Sequence, residues 1–288
     1  MKFTKLCAGF GVETRDVDVA RLDDASFQML WKAWLENHVL VLRGQSLDAV
    51  QFHAFARRFG KPEPHVISQF HHSAEPDILV LSNVLRDGQP TGLQDAGTYF
   101  HTDYSYLDVP ARCTTLYSVT VPSTGGATLF ANQCAAYDDL SDTMKAHIEP
   151  LIGRHHYGNR DDLNRNSRTV ASVLTADQEA KMKWVRHRIA RPHPITGRKA
   201  LYSVSGSSFG IEGMPDNEAV DLLDELKRHA TQPKYQYALS YGVGDIVVWD
   251  NAALLHSATL TPPECPRTLW RVTIKEDAAN LENCFSGD

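Results

Sequence analysis

The sequence predicts a mainly β protein of the α+β class, a β-sandwich or jelly roll core with flanking helices, and three observations carry that expectation. Short apolar runs, about four to eight residues each, outnumber the helical stretches. They do not alternate with helices in the strand–helix–strand rhythm that a doubly wound parallel sheet requires. No internal repeat, low-complexity tract or linker interrupts the 288 residues, so one domain spanning 1–288 is expected.

Phe27, Leu30, Trp31 and Leu35 recur at helical spacing and predict a helix over Ala25–Asn37. His38–Arg43, with four consecutive aliphatic residues, predicts a buried strand. Ser46 is read as the cap of a helix running to Arg58 that offers Val50, Phe52, Phe55 and Phe59 to the core. Strand patterns follow at Asp77–Ser82, Thr114–Val121, Ala127–Ala131, Ala200–Val204, Tyr235–Tyr241, Asp245–Trp249 and Leu269–Lys275. Further helices are expected at Tyr137–His147, Ala176–Arg188 and Asn217–Ala230, the last just after Pro215. Leu85–Thr98 and Tyr157–Ser172 are polar and irregular, and are read as long loops suited to lids. The pairs His71-His72 and His155-His156 diverge in extended backbone and are read as surface residues rather than a second metal site.

Composition excludes several classes of function. Lys and Arg number 29 against 35 Asp and Glu, and no basic run exceeds two residues, so nucleic acid is not an expected partner. Cys7, Cys113, Cys134, Cys265 and Cys284 are odd in number, scattered and never in a Cys-x-x-Cys pair, which fits a reducing compartment. Nothing approaches the roughly 20 apolar residues of a membrane span, and Met1–Leu6 carries no extended apolar signal region. A soluble cytoplasmic protein with no membrane partner is expected. Gly-x-Gly-x-x-Gly and P-loop units are absent, so nicotinamide and nucleotide cofactors are not indicated.

His101 and Asp103 are two residues apart, so in extended backbone both side chains project to the same side. His256 follows the turn-and-strand unit Gly244–Asn251 and is the third candidate ligand. Two imidazoles and one carboxylate cover one face of an octahedral ion and leave three positions open, the pattern of non-haem Fe(II) oxygenases. Pro262-Pro263 then breaks the chain, and Arg267 and Arg271 share a face of the returning strand about 13 Å apart. They are either an exposed, solvated pair or two guanidinium forks aimed into one cavity, where they would hold carboxylates.

Two readings compete with a metal centre. Gly206–Gly210 satisfies Gly-x-Ser-x-Gly, and Ser208, Asp250 and His256 occur in the order of an α/β-hydrolase triad. Ile211–Pro215, however, interrupts the helix that a nucleophile elbow needs. A non-catalytic jelly-roll binding module leaves the paired arginines and the three ligand candidates unexplained.

The order His-x-Asp, a long insert, His, ten residues, Arg, three residues, Arg resembles the Fe(II)/2-oxoglutarate dioxygenases of the taurine dioxygenase and 2,4-dichlorophenoxyacetate dioxygenase family. The resemblance extends over most of the chain, through Val39–Gly44, Phe55–Gly60, Val121–Thr128, Ala135–Tyr137 and Gly244–Asn251. It implies a double-stranded β-helix core, with His101, Asp103 and His256 as iron ligands. Thr128 and Arg267 match the residues that hold the distal carboxylate of 2-oxoglutarate. Arg271 matches the second arginine, near the iron-proximal end of the co-substrate and, for acidic substrates, near their anion. His65 lies where taurine-type members contact substrate, while Tyr104 either faces substrate or is an ordinary strand residue.

The implied reaction consumes O₂ and 2-oxoglutarate, releases succinate and CO₂, and hydroxylates a small organic acid such as a sulfonate, carboxylate or aryloxy acid. Retention of Asp103 favours hydroxylation over halogenation, because a halide needs that ligand position. A hydroxyl placed on carbon bearing oxygen, nitrogen or sulfur yields a product that collapses and breaks the bond. A homodimer or homotetramer is also implied.

Overall fold

Four successive aliphatic residues, Val39–Leu42, are all buried, as a strand covered on both faces requires. Val39 and Val41 point into one apolar cluster, Leu40 and Leu42 into another. This alternation places the strand between two layers and sets the plan of the molecule. The computed structural model describes residues 1–94, 96–158, 160 and 174–285.

Among the described residues, Val39–Leu42 belongs to a seven-stranded sheet in the order Thr4–Lys5, Val12–Thr14, Val39–Leu42, Ile246–Asp250, Ala111–Thr120, Thr268–Lys275 and Leu79–Ser82. All pairings are antiparallel except that of Val12–Thr14 with Val39–Leu42. A three-stranded sheet, Gln236–Leu239, Thr128–Asn132 and Leu254–Ala258, contributes Phe130, Leu239 and Leu254 to the cluster that holds Val39, Leu116, Val247 and Trp249 of the large sheet. The two sheets therefore share one core.

Helices cover the outer faces. Asp24–Asn37 and Ala49–Arg57 bury Phe27, Leu30, Trp34, Phe52 and Phe55 against Leu40, Leu42, Ile246 and Val248. Phe59 meets the rings of Phe27, Phe55 and Trp34 edge-on at 5.2, 5.5 and 5.6 Å, pairs that each add about 0.5–1.5 kcal/mol beyond area burial. Beside the small sheet, Asp216–Ala230 and Gln133–Asp138 pack with Ala131 and Leu255. No helix of the described residues is long and apolar enough to cross a membrane.

Several expectations need correction. The cap of the second helix is Asp48, in a reciprocal box with Gln51, rather than Ser46, and Val50 is exposed. Tyr137–His147 is two helices, because Ser141 accepts from the Met144 amide and starts Asp142–Ile148 afresh. Ala176–Arg188 is helical only over Ala176–Glu179; Val185–Arg188 is a strand in which Val185 and His187 are buried and Arg186 is exposed. His155 is buried, not a surface residue, and its ring lies 5.2 Å from that of His187. Leu85–Thr98 contains the two-residue strands Leu85–Arg86 and Gln89–Pro90. Most of the Tyr157–Ser172 loop lies outside the described residues.

Candidate active site

An isolated antiparallel bridge puts the two histidines opposite one another: each backbone N–H donates to the other's carbonyl at 2.9 Å, and the ring centroids are 4.2 Å apart. Just beyond His101 the chain turns at Tyr104, which takes the left-handed φ of 54°, and Asp103 swings its carboxylate between the rings. His101 Nε2 lies 3.5 Å from Asp103 Oδ1, and His256 Nε2 lies 3.5 Å from Asp103 Oδ2. All three ligand atoms fall within 4.8 Å of one another. Two glycines make room for this. A Cβ on Gly206 would stand 2.8 Å from the His101 Cβ, and one on Gly97 would stand 2.5 Å from its ring.

The donor set suits a divalent cation. His101 Nδ1 donates to the Tyr99 carbonyl at 2.8 Å, which leaves the lone pair on Nε2, facing Asp103. Burial pushes His256 down to about 4 against the opposing pull of Asp103, so this imidazole is neutral near pH 7. Burial alone would raise Asp103, but Arg271 and the two imidazoles outweigh it and hold the carboxyl well below its ordinary value. Two imidazoles and a carboxylate are thus gathered at one point.

Arg271 flanks this point. Its Nη2 is 2.8 Å from Asp103 Oδ1, its Nε donates to Thr273 Oγ1 at 3.1 Å, and the guanidinium lies 5.8 Å from the Tyr104 ring. A small cavity beside the ligands is lined by Thr128, Arg267, Arg271 and His256, so the two arginines do converge on one space. They do so although the ladder register shifts between Thr268 and Leu269. Thr128 Oγ1 is 2.6 Å from the Tyr241 hydroxyl. The Gly125-Gly126 turn hugs Arg267, for a Cβ on Gly126 would meet its Cδ at 3.0 Å.

A second cavity, sharing His101 and Arg271 with the first, is walled by His65, Tyr104, Tyr106 and Tyr157. His65 Nδ1 accepts from the Ile67 amide at 3.1 Å, which places its proton on Nε2. Burial, helped by Arg271, lowers His65 to about 3 and keeps it neutral. Tyr104 donates its hydroxyl proton to the Glu63 carbonyl at 3.1 Å, and its ring is followed by those of Tyr106 and Tyr157 at successive spacings of 5.7 and 4.9 Å. Tyr106 and Tyr157 are missing from the sequence-based set. The alternation Tyr104-Ser105-Tyr106 directly after a ligand was the available signal.

Ser208, Asp250 and His256 do not form a hydrolase triad. Asp250 Oδ2 is 3.1 Å from His38 Nδ1 and 2.9 Å from His193 Nε2, whereas His256 faces Asp103. Ser208 opens a strand paired with Ile152–His155, not a helix.

Sheets sharing one core and a two-histidine, one-carboxylate cluster beside paired arginines define a protein suited to holding a metal ion next to an organic acid. Residues 2–273 match the taurine catabolism dioxygenase TauD, TfdA family, and the chain belongs to it. It is 33% identical over 286 residues to an (S)-phenoxypropionate/alpha-ketoglutarate-dioxygenase of Sphingobium herbicidovorans, covering 96% of this chain and 95% of the relative. It is 35% identical over 250 residues to an alpha-ketoglutarate-dependent 2,4-dichlorophenoxyacetate dioxygenase of a Burkholderia species, covering 82% and 80%. The crystal structure of AAD-2 with Mn(II) and N-oxalylglycine superposes with a TM-score of 0.78 at 27% identity, over 96% of this chain and 97% of that one. The chain is a 2-oxoglutarate-dependent dioxygenase, an oxidoreductase, with Fe(II) as cofactor and 2-oxoglutarate and O₂ as co-substrates.

Proposed function

We propose that this enzyme hydroxylates a small anionic organic acid at a centre held by His101, Asp103 and His256, in one domain whose two sheets are the walls of a double-stranded β-helix. The carrying observation is the convergence of the two Nε2 atoms and the Asp103 carboxylate beside Arg271. The names of the relatives, which act on phenoxypropionate and 2,4-dichlorophenoxyacetate, support an aryloxy acid or a similar carboxylate or sulfonate as substrate.

Fe(II), when bound, activates O₂ so that 2-oxoglutarate is decarboxylated to succinate and a substrate C–H bond is hydroxylated. Arg267 and Thr128 hold the distal carboxylate of 2-oxoglutarate, a guanidinium fork and a hydroxyl lining one small cavity. Arg271 stands between the two cavities and serves the metal-side end of the co-substrate, the substrate anion, or both in turn. His65 presents a neutral N–H donor to the substrate, and Tyr104, Tyr106 and Tyr157 give it an aromatic wall that excludes water. The free thiols among the described residues, Cys7, Cys113, Cys134 and Cys265, support a cytoplasmic setting, and a homodimer or homotetramer completes the proposal.

The test is a screen of small sulfonates, carboxylates and aryloxy acids for accelerated succinate release in the presence of Fe(II), 2-oxoglutarate and O₂. Stimulation by an anionic acid, lost when its anionic group is esterified, is the expected result. Stimulation only by neutral or cationic compounds would overturn the substrate class.

A further inference from the structure

The two oxygens of the Asp103 carboxylate have different neighbours. Oδ1 faces Arg271 at 2.8 Å and His101 at 3.5 Å; Oδ2 faces His256 at 3.5 Å and the Thr114 hydroxyl at 2.5 Å. Thr114 and Asn251 have no exposed surface and line neither cavity, so neither touches substrate or co-substrate.

The protons in this buried group can be followed one by one. Asn251 Oδ1 accepts from the Trp249 indole N–H at 3.2 Å and from the Asp103 backbone N–H at 3.3 Å, which fixes the orientation of the amide. Asn251 Nδ2 therefore faces Thr114 and donates to its Oγ1 at 3.0 Å. A hydroxyl that already accepts there has its single proton left for Asp103. Asn251 thus fixes the backbone of Asp103 directly and its side chain through Thr114. Trp249, the cross-strand partner of Thr114 on the adjacent central strand, also packs its ring 4.7 Å from that of His256.

We propose that Thr114 and Asn251 are positioning residues for the Asp103 ligand, and that Trp249 carries the same constraint to His256. The inference rests on the metal-centre reading given above. Its physical content is that the strands Ala111–Thr120 and Ile246–Asp250, the rigid middle of the large sheet, set the ligand carboxylate in place before a metal arrives. Hydrogen-bond partners of metal ligands typically contribute 10–100-fold to metal affinity, and the effect here should fall on binding of the ion itself.

Mn(II) is titrated into the metal-free protein and free ion is followed by its electron paramagnetic resonance signal, for wild type, Thr114→Val, Thr114→Ser and Asn251→Ala, with melting temperatures taken in parallel. Thr114→Val keeps the shape and removes the donor, so its Kd for Mn(II) should rise about 10–100-fold, as should that of Asn251→Ala. Thr114→Ser restores the donor and should bind close to wild type. Equal Kd values for Thr114→Val and Thr114→Ser would overturn the proposal, as would a lowered melting temperature with unchanged affinity. If Thr114→Val does not fold, Asn251→Ala decides by the same criterion. A wild type that binds no Mn(II) would instead remove the metal-centre reading, and this inference with it.

Discussion

Among the described residues, two sets of two histidines and one aspartate lie close together, and they do opposite things. In His38, Asp250 and His193, hydrogen bonds close the set on itself: Asp250 Oδ2 is 3.1 and 2.9 Å from the two rings, and its Oδ1 accepts the Ala252 amide at 2.9 Å. His193 Nδ1 accepts from the amides of Ile195 and Thr196, so its proton is on Nε2, pointing at Asp250. In His101, Asp103 and His256 the corresponding separations are 3.5 Å, longer than a good hydrogen bond, and His101 directs its Nδ1–H to the Tyr99 carbonyl instead. The same residue types make a structural clasp where hydrogen bonds close the gaps, and a cluster suited to a metal ion where they do not.

The largest effect that would test this contrast is loss of a ligand from the second set. Asp103→Ala should lower substrate-triggered succinate formation by more than about a thousandfold, because the several kcal/mol that a metal contributes to the barrier go with it. A thermal melt should still report a folded protein. Wild-type-like turnover in this variant would end the ligand assignment.

Asp250→Ala should show the reverse pattern. Asp250 is held well below the ordinary carboxylate range by His193 and His38 even though burial opposes it, so removing it leaves two buried imidazoles without their acceptor. A destabilisation of about 3–5 kcal/mol is expected from denaturant unfolding. If instead the variant unfolds like wild type but no longer takes up metal, the roles of the two sets have been exchanged.

A smaller effect is expected at Arg267, in the small cavity beside the cluster. Arg267→Ala removes one charged hydrogen-bonding partner, worth about 1.5–3 kcal/mol, and should raise the 2-oxoglutarate concentration needed for half-maximal rate by about 10–100-fold. Saturating 2-oxoglutarate should recover most of kcat. An unchanged 2-oxoglutarate dependence would take Arg267 out of the site.

The contrast also explains what was legible in the sequence. His101 and Asp103 could be paired because a spacing of two is geometric information, and Arg267 with Arg271 because a strand period survived even a bulge between them. Val39–Leu42 declared itself as a buried strand through an unbroken apolar run, and Ile246–Trp249 was legible as a strand. Asn251 and Thr114 were hidden, since their roles depend on which donor faces which acceptor across two strands, and no linear spacing encodes that. Val185–Arg188 was expected as the end of a helix, and its strand alternation depends on His187 facing inward beside Val185. Once that histidine is placed inward the segment has the two-residue alternation of a strand.

The neighbouring strand Ile152–His155, which pairs with Val185–Arg188, supplies the most graded prediction. Burial, with Arg191 adding to it, lowers His155 from 6.5 to about 3, so the native state holds this imidazole neutral while the unfolded chain protonates it. Between those values the unfolded state binds more protons, and stability therefore rises with pH; the contribution is complete above 6.5 and is lost as pH falls. The slope is about 1.4 kcal/mol per pH unit for one such group. His193 has the opposite sign: Asp250 raises it against the effect of burial, so its contribution is present at low pH and fades as pH rises through its folded value. The closed clasp thus offsets part of the acid sensitivity of the His155 region. Unfolding free energies of wild type and His155→Phe at a series of pH values from about 4 to 8 separate the two contributions. The variant should lose stability less steeply below pH 6.5, and parallel curves for the two proteins would show that His155 is protonated as readily inside the fold as outside it.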